Sequence, residues 1–306
     1  MKAKLFAFAA AAVLTCAAVP AHANLNVFAC EPEWGSLSQE IGGDHATIYT
    51  ATTGAQDPHQ IQARPSLIAR ARKSDVTVCS GSELEVGWLP MIQRQAANPK
   101  IQAGTPGAFE ATRYVRMRDV PTRLDRADGD VHPGGNPHIQ TDPRNILAVA
   151  KPLADRFAEL DPANAAYYRD RYQAFATKWN AAMQRWQQQA APLKGAPVAV
   201  QHKNWTYLFD WLGIKEVVAL EPKPGIPPSS GYLAQVVDQI KRQPIRMVIR
   251  AGYEDSRPSD FLKDRANVPE VVLPFTVGGT PEAKDLTGLF NDTVNRLMAG
   301  FNAGKS

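Results

Sequence analysis

Seven short runs rich in β-branched residues recur along the chain, and helical patterns lie between them. The runs are NVFAC (26–30), HATIYTAT (45–52), DVTVCSG (75–81), PVAVQH (197–202), EVVALE (216–221), IRMVIRA (245–251) and EVVLPF (270–275). Between them lie SLIARARKS, VGWLPMIQRQA and GYLAQVVDQIKRQ, and LTGLFNDTVNRLMAGF follows the last. Strand, helix, strand at this spacing restricts the fold to parallel sheets with helices on their faces. Several strands are almost wholly apolar, as strands buried on both faces must be.

The middle of the chain breaks this rhythm. Asp142-Pro143 and Asp161-Pro162 each place a capping carboxylate before a proline at the first helical position. After the second comes a long pattern in which Tyr168, Tyr172, Phe175, Trp179, Met183 and Trp186 recur every three or four residues. That spacing makes one apolar stripe, which reads as a buried seam rather than a ligand platform. With β and α patterns on both sides, the expected class is α/β: two (βα) lobes with parallel sheets, joined by one long helix.

The chain opens MKAKLFAFAAAAVLTCAAVPAHA. Lys2 and Lys4 precede an apolar stretch too short to span a bilayer, and Ala21-His22-Ala23 is a cleavage-site pattern. This is the pattern of an export signal, residues 1–23; lipid attachment at Cys16 is a weaker alternative because Thr15 precedes it poorly. The expected organisation is then an N-terminal lobe over 24–161, a linking helix over 162–191 and a C-terminal lobe over 192–306. Without the signal, 32 basic residues face 30 acidic ones. So small an excess gives no electrostatic basis for holding nucleic acid or an anionic membrane.

Two cysteines remain, Cys30 and Cys79, each closing a strand-like run. In an oxidising compartment they could pair, or they could be small buried residues on neighbouring strands. Spacing leaves both readings open. Proline and glycine gather in 120–138, which reads as a polar mobile loop, and in 221–231, which reads as a stiff connection.

His59, His138 and His202 fall at strand ends or in the loops that leave them, where open α/β sheets bind ligands. His45 starts a strand after a Gly-Gly-Asp turn, for which a turn role suffices. Two of the three belong to the first lobe and one to the second. Imidazoles meeting between lobes would suit Zn²⁺, a borderline-soft ion.

The chain resembles the cluster A-I type of periplasmic metal-binding receptors that serve ABC-type zinc and manganese uptake systems. The matching segments run almost the length of the chain. They are EIGGDHATIYTATTGAQDPHQIQARPS with His59, ARKSDVTVCSGSELE, NPHIQTDPRNILAVAKPLADRFAELDP with His138, and QHKNWTYLFDWLGIKEV with His202. The resemblance implies two lobes on one long rigid helix, with His59, His138 and His202 as metal ligands. The residue at 202 is histidine in zinc members and glutamate in many manganese members. A monomeric periplasmic receptor that delivers Zn²⁺ to an inner-membrane permease, and turns nothing over, is therefore expected.

The chain departs from the pattern in three places. Gln140 stands near a customary tryptophan. Val277 and Gly278 occupy the place of a customary aspartate, which leaves the fourth ligand to water, His132, Glu254 or Asp255. The loop before His138 carries only Asp125, Asp128, Asp130 and His132, where zinc relatives often have many histidines and acids. Two other functions compete. A manganese receptor is disfavoured by His202, since Mn²⁺ prefers oxygen ligands. A secreted zinc hydrolase has no H-E-x-x-H or G-x-S-x-G motif to support it, and solvation in a loop is the simpler expectation for Glu31 and Glu33.

Overall fold

A computed structural model describes residues 24–304 except 124, 126 and 128; the expected export signal, residues 1–23 with Cys16, lies outside the described residues. The first sheet holds β1 (Leu25–Ala29), β2 (Ala46–Thr50), β3 (Val76–Cys79) and β4 (Ala108–Glu110) in the order β2-β1-β3-β4. The second holds β5 (Pro197–Val200), β6 (Lys215–Ala219), β7 (Val248–Ala251) and β8 (Glu270–Leu273) in the order β6-β5-β7-β8. Every pairing is parallel. Each strand order reverses direction once, between β1 and β3 and again between β5 and β7. Helices leave opposite faces at such a point and open a crevice beyond the carboxyl ends of the strands.

Strand β4 has no counterpart among the seven sequence runs. Three residues are too few for a period-2 signal, and only pairing with β3 defines it (Val78 opposite Phe109). Helices α1 (Pro32–Gly42), α2 (Pro65–Arg72) and α3 (Leu89–Ala96) accompany the first sheet. The second is accompanied by α6 (Thr206–Leu212), α7 (Ser230–Arg242), α8 (Arg257–Ala266) and α9 (Leu286–Ala303).

Two helices connect the sheets, α4 (Pro143–Leu160) and the long α5 (Ala165–Gln189). Asp142 caps α4 by accepting from the Arg144 N–H at 2.8 Å, with Pro143 at the first helical position. Asp161 does something else. Its carboxylate accepts from the Tyr168 hydroxyl at 2.7 Å and the Asn164 amide at 2.8 Å, while Pro162–Asn164 forms a 3-10 turn ahead of α5.

The α5 stripe is a seam, as its period implies. Tyr168 meets Phe157 of α4 edge-on, and Trp179 and Trp186 both pack on Phe290 of α9. One apolar cluster thus runs from the first sheet through α5 into the second. Both indole N–H groups donate at depth, Trp179 to the Pro143 carbonyl (2.8 Å) and Trp186 to the Asn291 amide oxygen (2.7 Å), so burial strands neither donor. Among the described residues no helix is long and apolar enough to cross a membrane.

Cys30 and Cys79 form a disulfide, with Cα atoms 4.8 Å apart. Pairing of β1 with β3 brings their carboxyl ends together, and the Cys30 N–H donates to the Val78 carbonyl at 2.9 Å. Strand register decides between the two readings that spacing left open.

Candidate metal centre

His59, His138 and His202 converge from three loops, and one ring nitrogen from each lies within 4.8 Å of the others. His59 sits in the loop between β2 and α2. Asp57, two residues earlier, accepts from its backbone N–H at 3.0 Å and lies 2.7 Å from ring Nδ1. A carboxylate has no proton to give, so Nδ1 carries the hydrogen and the Nε2 lone pair is left free. The loop itself is pinned by the Trp88 indole, which donates to the Pro58 carbonyl at 3.0 Å.

His202 follows β5 and repeats the arrangement. Its Nδ1 lies 2.7 Å from Glu221 Oε2, which again frees Nε2. Burial alone would lower the His202 pKa, but the hydrogen bond and charge of Glu221, with Glu254 and Asp57 beyond, leave it raised.

His138 precedes α4 and is 2 % exposed. Asn136 positions it by accepting from the His138 N–H at 3.0 Å while donating across the lobes to the Lys203 carbonyl at 2.8 Å. The His138 ring lies edge-on to Phe275, and its Nδ1 is buried with no hydrogen-bond partner among the described residues. Burial, then the nearby His59, His202 and His132, hold its pKa well below the ordinary range, so this imidazole stays neutral and available.

His132, from the loop before His138, approaches His59 at the edge of this cluster. Its Nε2 lies 3.3 Å from His59 Nε2. Two nitrogens bound to one tetrahedral ion at 2.0–2.1 Å stand about 3.3–3.4 Å apart, which is this distance. Burial, with His59 and His202 close by, pushes the His132 pKa down to about 4. His45 does not join them; its ring packs edge-on against Tyr167 of α5.

The acids around the site divide by geometry. Asp255 is exposed and held by Arg257, whose Nε is 2.7 Å away and whose N–H donates at 3.0 Å to start α8. Glu254 uses both oxygens, accepting from the Ala251 N–H (2.8 Å) and the Asn204 amide (3.0 Å), and burial pushes it up to about 7. The segment of Val277 and Gly278 closes the lobes instead of supplying a carboxylate. A Cβ on Gly54 would lie 2.4 Å from the Gly278 carbonyl carbon, so the two segments touch through backbone. Sequence reasoning missed Asp57 and Glu221. Asp57 was findable in principle two residues before His59; Glu221 lies 19 residues beyond its histidine, and only sheet pairing unites them.

Glu31 and Glu33 are not solvated loop residues, contrary to the sequence expectation. They are 3 % and 1 % exposed, because α1 starts directly beneath the second lobe. Glu33 accepts from the Thr276 hydroxyl across the lobes, and Glu31 and Glu85 share the Ser80 N–H. Burial raises the Glu33 pKa to about 7, despite the Thr276 hydrogen bond, which lowers it. The folded state therefore holds this proton more tightly than the unfolded chain. Its contribution is fully present below pH 4.5 and is lost as pH rises to about 7. Glu33→Gln should raise stability at pH 8 by roughly 1–3 kcal/mol and give no gain at pH 4. Urea unfolding at both pH values checks this, and equal gains at both would refute the ionisation account.

Known proteins share this architecture. The family model for the periplasmic zinc-uptake complex component A matches residues 27–300. The chain is 24% identical over 267 residues to the high-affinity zinc uptake system protein ZnuA of Paracoccus denitrificans, covering 76% of this chain and 78% of that one. It is 25% identical over 281 residues to the iron-binding protein YfeA of Yersinia pestis, covering 87% and 82%. Among solved structures, a ZnuA crystal structure superposes with a TM-score of 0.72 at 20% identity, covering 89% of this chain and 98% of that one. FpvC from Pseudomonas aeruginosa, solved with Mn²⁺, gives 0.76 at 21% identity, covering 91% and 99%. With the family model matched from the first strand to the last helix, this chain belongs to the family of periplasmic component A of zinc-uptake complexes.

Proposed function

We propose that the protein captures Zn²⁺ in the periplasm and delivers it to an ABC-type permease in the inner membrane. The observation that carries this reading is the convergence of His59, His138 and His202 from two lobes, with Asp57 and Glu221 directing two of the Nε2 atoms inward. His132 is the fourth ligand in this reading. In the metal-free site, His132 Nε2–H can donate to His59 Nε2; on capture His132 takes the Nδ1–H tautomer, so that its neutral Nε2 binds the ion and the 3.3 Å separation is kept. Four neutral nitrogens suit Zn²⁺ and give Mn²⁺ too few oxygens, although YfeA is named an iron-binding protein and FpvC was solved with Mn²⁺. His202, with its raised pKa, is the group that capture must deprotonate, so affinity falls on acidification.

Metal analysis of tag-free protein, followed by competition between Zn²⁺ and Mn²⁺ at pH 7.5 and 5.5, tests the proposal. One zinc per chain, resistant to excess Mn²⁺ and weaker at the lower pH, is expected. Stoichiometric replacement by Mn²⁺ would overturn it in favour of the manganese reading.

A further inference from the structure

One oxygen of Glu221 serves two donors. Oε2 accepts from His202 Nδ1 at 2.7 Å and from the Gly225 N–H at 2.7 Å. Gly225 belongs to a turn closed by the Ile226 N–H on the Lys223 carbonyl at 3.0 Å. A strap from the other lobe lies on that turn. The Asp130 N–H donates to the Pro224 carbonyl at 2.9 Å, and Lys223 Nζ donates to the Ala127 carbonyl at 2.5 Å. Gly129, at φ +84°, fits against the turn so closely that a Cβ would stand 2.1 Å from the Pro224 carbonyl oxygen.

The same strap carries His132, 3.3 Å from His59. The contacts thus close a ring around the site. It runs from His59 to His132, along the strap to the turn, through Glu221 to His202. Two cavities flank the strap, one of about 280 Å³ and one of about 140 Å³, and Asp130 lines both. Docking of the strap therefore divides the approach to the histidines.

We propose that Glu221 is a positioning residue that couples the occupancy of the metal site to docking of the strap over residues 129–132. This rests on the reading of the histidines as a metal site. Relative to the neutral ring, a cation on His202 Nε2 draws electron density away and strengthens the Nδ1–H donation to Glu221, so the coupling is read at a pH where His202 of the empty site is neutral. Glu221 then holds the Gly225 N–H, and with it the turn on which Gly129 and Asp130 sit. Coupling of this kind is reciprocal, so the factor by which metal favours docking is the factor by which docking favours metal.

Hydrogen exchange on the mature chain, with and without saturating Zn²⁺, reads the strap amides of Asp130 and Val131. In the wild type these amides should slow about tenfold or more on zinc binding. Glu221→Gln should weaken zinc roughly 10–100-fold and cut strap protection at saturation to what the His132 ligand alone supplies, while β5 and α6 amides remain as in the wild type. His132→Ala, saturated with zinc, should keep the share of protection that runs through Glu221, because that path is intact. Gly129→Ala undocks the strap without touching Glu221, so its loss of zinc affinity should match the wild-type protection factor. Undiminished protection in saturated Glu221→Gln, complete loss of protection in saturated His132→Ala, or unchanged affinity in Gly129→Ala would each overturn the coupling. A wild type that binds zinc with no slowing of the strap sinks this inference alone; a wild type that binds no zinc sinks the proposed function itself.

Discussion

His138→Ala should lower zinc affinity by more than the roughly 100-fold that loss of an outer-shell partner costs, with an unchanged circular dichroism spectrum. Of the three converging histidines it is the most buried, and its Nδ1 has no hydrogen-bond partner among the described residues. Burial and the neighbouring histidines keep it neutral, so it offers a lone pair without first shedding a proton. Its removal also opens the contact with Phe275. The fold should tolerate the change, because Asn136 holds the backbone at 138 rather than the ring. His59→Ala and His202→Ala should lose affinity by a similar order. Competition against a chromophoric chelator measures all three, and affinity within a few-fold of wild type would remove that histidine from the site.

Breaking the disulfide is expected to have the largest effect on stability. The bond spans 49 positions and joins adjacent strands at their carboxyl ends. Constraint of the unfolded chain by a loop of that length is worth about 4 kcal/mol, within the usual 2–5 kcal/mol range for losing a native bridge. Glu31 follows Cys30 and Ser80 follows Cys79, and the Ser80 N–H donates to both Glu31 and Glu85. Loosening the bridge therefore also loosens the buried acids beneath the second lobe. Urea unfolding of Cys79→Ala, and of the wild type under dithiothreitol, should show the same drop. Midpoints unchanged by either treatment would mean that strand pairing alone holds these ends. Saturating zinc should restore part of the loss, since a ligand that binds only the folded state shifts the equilibrium towards it.

The architecture was legible in the sequence where the signal was local and repeated. Apolar runs with β-branched residues, separated by helical periods, specify buried parallel strands, because backbone geometry and solvent exclusion act on each segment alone. The α5 stripe declared its seam in the same way, through Trp179 and Trp186. The Asp142 cap was readable because capping involves neighbours two residues apart.

The site was readable only in part. His59, His138 and His202 stand out as imidazoles at strand ends, yet 79 and 64 residues separate them along the chain. Spacing says nothing about distance over such intervals, and tertiary folding alone brings their nitrogens within 4.8 Å. It alone pairs Cys30 with Cys79, joins Glu221 to His202 and lays the strap of His132 across the turn. Folding also reversed expectations: it carried Glu31 and Glu33 out of water and against the second lobe, and it turned the Asp161 carboxylate from a cap into a partner of Tyr168. The physical division is one of range. The sequence by itself determined the strand and helix periods and the residue types capable of holding a metal, because those depend on each residue and its near neighbours. Convergence, burial and the partner of each polar atom were decided by the packing of two sheets across α5, where contacts join residues that no local pattern relates.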